Sequence, residues 1–171
     1  PEAGKLVENF HYAKPNWGDH CFGILKDSEL VAAAIFINSR SGQNNIGELV
    51  SMARNDLHRN FHMSQLISRA SKALKTSYDI VVTYCDSDKG IGTTFQGASW
   101  CYHGKIKGGD YSIQPEPIYD MSRGFHFYWR ALTAAGYNRA RTYGLKSLRY
   151  PRGKPKFIQG EHREGSILNA G

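Results

Sequence analysis

Thr83-Tyr84-Cys85-Asp86 brings a hydroxyl, a phenol, a thiol and a carboxylate together at the end of a β-branched run. If Ile80 to Tyr84 is a buried strand, Asp86 stands at its carboxyl end, where α/β sheets bind ligands. A carboxylate there can act as a general base or orient an amine. Taken alone, Asp86 reads more simply as a turn-forming residue. Cys85 could be a nucleophile, but no His is fixed beside it in sequence, which favours a buried thiol. Upstream, Ala53 to Ser64 joins a strand to a helix and carries Arg54, Arg59, Asn60 and Ser64. A helix N-terminus offers unpaired N–H groups and partial positive charge, so Arg59, Asn60 and Ser64 read as a candidate anion site. The alternative is a solvated turn with Asn60 or Ser64 as its cap. His58 and His62 have the spacing of two metal ligands on one helix face, but no third ligand is evident.

The elements that must position these residues follow from hydrophobic period. Cys21–Leu25 and Leu30–Asn38 read as a hairpin around the polar loop Lys26 to Glu29. The second of these strands is apolar throughout and is expected in the sheet interior, covered on both faces. Ile46–Ala53 reads as a third strand. Met63, Leu66, Ile67, Ala70, Ala73 and Leu74 recur at helical spacing and predict an amphipathic helix of about three turns. Ile80–Tyr84 and Trp100–Ile106 read as further strands, Thr93–Ser99 as a short helix, and Phe125–Ala135 as a last helix ended by Gly136. The order predicts an α/β domain with a mixed sheet.

The chain has 171 residues, of which 40% are apolar and 22% charged. That suits one folded domain and excludes wholesale disorder. The longest apolar run, Leu30 to Ile37, is far shorter than the roughly 20 residues of a membrane helix, so no membrane partner is expected. The first residues do not read as a secretory leader. Three cysteines point to a reducing cytoplasm rather than a disulfide framework. The net charge of +7 is unevenly spread. Between Met121 and Gly160 lie Arg123, Arg130, Arg139, Arg141, Lys146, Arg149, Arg152, Lys154 and Lys156, with no acid among them. Taking those nine from +7 leaves the rest of the chain at −2. The cations are interleaved with Phe125, Phe127, Tyr128, Trp129, Tyr137, Tyr143, Tyr150 and Phe157. Cations suit phosphates and aromatics can stack on an unpaired base, so nucleic acid is the expected partner.

An ordered set of segments resembles the phage Mom-type DNA-modification proteins, a divergent branch of the GNAT N-acyltransferase superfamily. The segments are Glu48-Leu49-Val50, Asn60 to Ser64, the helix to Lys75, Thr83 to Asp86, and Gly92-Thr93-Thr94-Phe95-Gln96-Gly97-Ala98-Ser99-Trp100-Cys101-Tyr102-His103-Gly104. Family members show an "ELxRL" strand, an "RNxxS" helix start, a "SYAD" strand end and a "GTIYxAxxFxYxG" segment. The likeness covers Glu48 to Gly104. It departs at Ser51, where Arg is frequent, at Thr83, which replaces Ser, and at Phe95, which replaces a Tyr that could act as general acid.

The resemblance implies a GNAT-like core over residues 1–114 and a basic, aromatic-rich C-terminal extension over 115–171 packed on the same domain. It implies transfer of a carbamoylmethyl-type group to the N6 amine of adenine in double-stranded phage DNA, in the host cytoplasm, as protection from restriction. Asp86, Thr83, Tyr84 and Phe95 would form the catalytic region. Arg59, Asn60 and Ser64 would hold acyl-CoA or another small-molecule donor, with iron as a candidate metal, and the nine tail cations would grip DNA. Two alternatives stand beside it: a GNAT-like N-acyltransferase acting on a protein or small amine, and a non-catalytic phage protein that binds DNA or a host factor.

Overall fold

The computed structural model describes residues 2, 3, 5, 6, 17–55, 61–107 and 124–153. Strands β1 (His20–Lys26) and β2 (Glu29–Asn38) form the expected hairpin, with a tighter connection than four residues. Lys26 pairs with Glu29, and only Asp27 and Ser28 turn, both at positive φ. That is the backbone sense that matches the twist of the strands. In β2 the seven residues from Val31 to Ile37 are all buried, as an interior strand requires.

β3 (Ile46–Arg54) runs antiparallel to β2 and parallel to β4 (Ile80–Asp86), with helix α1 (Met63–Leu74) as the crossover between them. α1 buries Leu66, Ile67, Ala70, Ser71 and Leu74. Ala73, expected on that face, is exposed; Ser71 takes the place, its hydroxyl satisfied by the Ile67 carbonyl at 2.7 Å. A short helix α2 (Thr93–Gly97) leads into β5 (Cys101–Ile106).

The segment expected as a helix from Phe125 is instead strand β6 (Phe125–Ala131). It lies between β4 and β5, giving the order β1-β2-β3-β4-β6-β5, antiparallel except for β3–β4. Aromatic residues favour the pleated surface. Consecutive burial from His126 to Trp129 reflects cover on both faces, which hides the period-2 pattern. Helix α3 (Ala134–Thr142) begins only after Thr133, whose side chain accepts the Gly136 N–H. Gly136 is therefore inside the helix rather than at its end. A Cβ there would meet the Asp79 carbonyl oxygen at 2.0 Å, so the glycine allows α3 to touch the start of β4.

The core has two sides. α1 and α2 cover Phe36, Leu49, Val81, Trp100 and Tyr128 on one face. On the other face, Ala140 of α3 and Leu145 beyond it pack against Ile80, Val82, Phe127 and Trp129. Among the described residues no helix is long and apolar enough to cross a membrane.

Candidate active site

The parallel β3–β4 ladder begins at Ile46–Ile80 and stops at Leu49–Thr83. The reason lies one strand away. Along β2 the register passes from Ile35–Ser51 to Phe36–Leu49, which leaves Val50 as the extra residue of a β-bulge. A bulge bends its strand and increases local twist. Beyond it, β3 follows β2, while Tyr84–Asp86 follow β6. The strands diverge, and a cleft of about 240 Å³ opens between them.

Strand alternation divides its lining by face. Leu49, Met52 and Cys85 belong to the side packed under α1, where Phe95 of α2 also reaches the cleft. Glu48, Ser51, Tyr84 and Asp86 line the other side, with Arg40 and Phe125. Glu48 is 1% exposed and ion-paired with Arg40, which engages both carboxylate oxygens. The sequence reading assigned this pair no role. Its signal was a carboxylate flanked by the strand residues Ile46, Leu49 and Val50.

The cleft brings together all four residues expected to form the catalytic region. Asp86 serves its turn as well: its Oδ1 accepts the Asp88 N–H at 2.9 Å. Thr83 is buried at the apex and donates its hydroxyl to the Leu49 carbonyl at 2.9 Å. That bond commits the hydroxyl to holding the strands rather than to proton transfer. Tyr84 packs edge-on against Phe127. Phe95 is buried among Trp100 and Tyr128. The Cys85 thiol donates towards the Gly90 carbonyl at 3.5 Å. Burial, reinforced by Asp86 and partly offset by the Gly92 N–H, raises its pKa, as for an unreactive thiol.

A second depression of about 340 Å³ lies at the start of α1, lined by Arg54, His62, Met63, Ser64, Thr93 and Thr94. Ser64 is within the first turn, not at the cap. The N-cap is His62, whose side chain makes no capping bond, and the first turn holds no acid. Among the described residues, the N-cap side chain therefore does not compete with an anion for the N-terminal N–H groups. Arg54 donates to the Phe61 carbonyl at the entrance to the helix. Arg59 and Asn60 lie outside the described residues, as does His58, the partner expected for His62. Among the described residues no three of His, Cys, Asp and Glu gather to hold a metal.

The cations occupy more than one surface. Arg130 donates to the Ala98 carbonyl and Arg139 pairs with Asp79. Asp79 precedes β4, about 23 Å of extended chain from Asp86 at its other end. Arg141 is exposed on α3. After α3 the chain returns along β5 as a strap. The Lys146 N–H donates to His103 Nδ1, its carbonyl accepts from Trp129 Nε1, and Leu148 bridges to Tyr102. The Tyr150 hydroxyl donates to the Trp100 carbonyl. Arg149 and Arg152 are exposed on this strap, whose Gly153 approaches Ile91 beside α2. Arg123, Lys154 and Lys156 lie outside the described residues. Three of the eight expected stacking aromatics are core: Phe127, Tyr128 and Trp129 are buried because β6 is interior, while Phe125 and Tyr143 are half-buried, Tyr137 and Tyr150 are exposed, and Phe157 lies outside the described residues.

The fold is that of the GNAT acetyltransferases. The ribosomal-protein-S18-alanine N-acetyltransferase from Escherichia coli superposes with a TM-score of 0.56 at 13% identity, covering 81% of this chain and 90% of that one. A GNAT-family structure from Desulfovibrio desulfuricans gives 0.52 at 10% identity over 67% and 69%. An N-acetyltransferase from Staphylococcus aureus Mu50 gives 0.50 at 18% identity over 66% and 67%. At these identities the likeness is one of fold. No curated protein matches the chain. Residues 1–151 match the Mom protein family, and the chain belongs to it.

Proposed function

We propose that the chain is a transferase that modifies the N6 amine of adenine in double-stranded DNA. The observation that carries this reading is the cleft between β3 and β4, with Asp86 on its polar side, in a member of the Mom family. The acceptor amine enters from the side of Glu48, Tyr84 and Asp86. The Asp86 carboxylate accepts a hydrogen bond from that amine and takes its proton as the new bond forms. Phe125 and Tyr84 offer ring surface to a base drawn out of the duplex. The donor occupies the α1 side; when bound it would supply the electrophilic carbon, whose bond to the donor's leaving group (a CoA thiolate, for an acyl-CoA) breaks as the bond to N6 forms. The start of α1, where the N-cap His62 makes no side-chain capping bond, suits with Arg54, Ser64, Thr93 and Thr94 an anionic donor such as the phosphates of acyl-CoA. Phosphates of the DNA are held by the exposed strap cations Arg149 and Arg152.

The test is nucleoside mass spectrometry of plasmid DNA from bacteria expressing the chain. A mass-shifted deoxyadenosine is the expected result, and its mass identifies the transferred group. Unmodified DNA from cells holding folded protein would overturn the reading. Phe95 favours a second reading, a non-catalytic DNA binder, because it places carbon where the resemblance expects a phenol. DNA affinity without any new nucleoside would establish that one instead.

A further inference from the structure

The cleft lining holds a polar atom with no partner among the described residues. Ser51 is 3% exposed, and its hydroxyl makes no hydrogen bond among the described residues. Buried polar groups in native proteins are nearly always paired, and an orphan costs folding free energy. Ser51 follows the bulged Val50 and pairs with Ile35, so it lies on the side of the sheet away from α1. That is the side of Glu48, Tyr84 and Asp86. Glu48 is already engaged by Arg40 and leaves Ser51 unsatisfied.

We propose that the Ser51 hydroxyl donates a hydrogen bond to ring nitrogen N1 of the acceptor adenine and holds the neighbouring amine towards Asp86. The proposal rests on the base-modification reading above. The N1–C6–N6 edge of adenine presents an acceptor beside a donor. A hydroxyl that gives a proton and a carboxylate that accepts one are complementary to that edge. Aliphatic and peptide amines lack a ring nitrogen beside the amine and leave Ser51 orphaned. Sites built around such a bond discriminate strongly against ligands that cannot make it. Ser51 is thus a specificity-determining contact, satisfied when the base is bound.

The test combines Ser51→Ala with an altered substrate. Purified Ser51→Ala melts at or above the wild-type temperature, because the substitution removes an orphan. Its yield of modified deoxyadenosine, measured at low matched expression, falls about tenfold, the scale of one lost hydrogen bond. In extract of expressing cells, which supplies the donor, the wild type loses about tenfold on duplexes carrying 1-deaza-adenine. Ser51→Ala treats the two bases alike. Wild-type yield from Ser51→Ala, or equal wild-type rates on both bases, overturns the proposal and leaves base modification standing. A lowered melting temperature shows the hydroxyl partnered in the free protein and overturns it too. No shifted deoxyadenosine from the wild type overturns the base reading and this proposal with it.

Discussion

Thr83 of β4 donates its hydroxyl to the carbonyl of Leu49 of β3 at 2.9 Å, on the last rung before the two strands part. The bond closes the apex of the cleft. Thr83→Val keeps the shape and leaves a buried carbonyl with one bond fewer, so it costs about 1–3 kcal/mol in denaturant unfolding. Thr83→Ser retains the bond and most of the stability. Equal midpoints for Val and wild type would show that the hydroxyl does not hold the apex.

Asp86 holds its turn, and the proton transfer proposed for it is separable from that bond. Asp86→Asn keeps an oxygen for the Asp88 N–H, so it melts near the wild type yet yields no modified nucleoside. Asp86→Ala loses the product and, in addition, about 1 kcal/mol of stability with the turn bond. Full product from either variant removes Asp86 from the mechanism.

In the proposed DNA complex, the strap cations Arg149 and Arg152 hold backbone phosphates. Reversing Arg149 and Arg152 together weakens DNA binding and lowers the slope of log affinity against log salt by about 2, near 0.9 for each lost contact. Titrations at several salt concentrations measure it. An unchanged slope would remove the strap from the DNA interface.

His126 is buried with its Nδ1 2.8 Å from the Tyr102 hydroxyl. Burial, and then the Lys105 ammonium, lower its pKa. The unfolded chain takes up that proton near pH 6.5 while the native state resists it. The contribution to stability is complete above about pH 6.5 and is lost as pH falls from there towards the depressed native value. His126→Gln flattens this acid limb of a stability–pH curve; an unaltered limb would assign it to other groups.

Gly136 marks the contact of α3 with the start of β4. Gly136→Ala places a methyl against the Asp79 carbonyl and destabilises by about 1–3 kcal/mol, although alanine favours helix. A stabilised variant would show that α3 shifts freely.

The strand–helix–strand crossover was legible because its apolar residues repeat at 3.6 in Met63–Leu74 and form an unbroken β-branched run in Ile80–Val82. The placement of Asp86 at the end of β4 followed from the same patterns. β6 was not legible, since a strand buried on both faces shows no alternation and Phe125–Ala131 fits either period. Nor were the bulge at Val50, the Arg40–Glu48 pair or the isolation of Ser51. Each depends on which strand lies alongside. Local period follows from residue order alone, so the sequence by itself determined the elements that show a period, β6 excepted, and the order of the chemical groups along the chain. Pairing between distant strands decides where β3 leaves β4, and only the tertiary structure could place a cleft there and choose the side chains that line it.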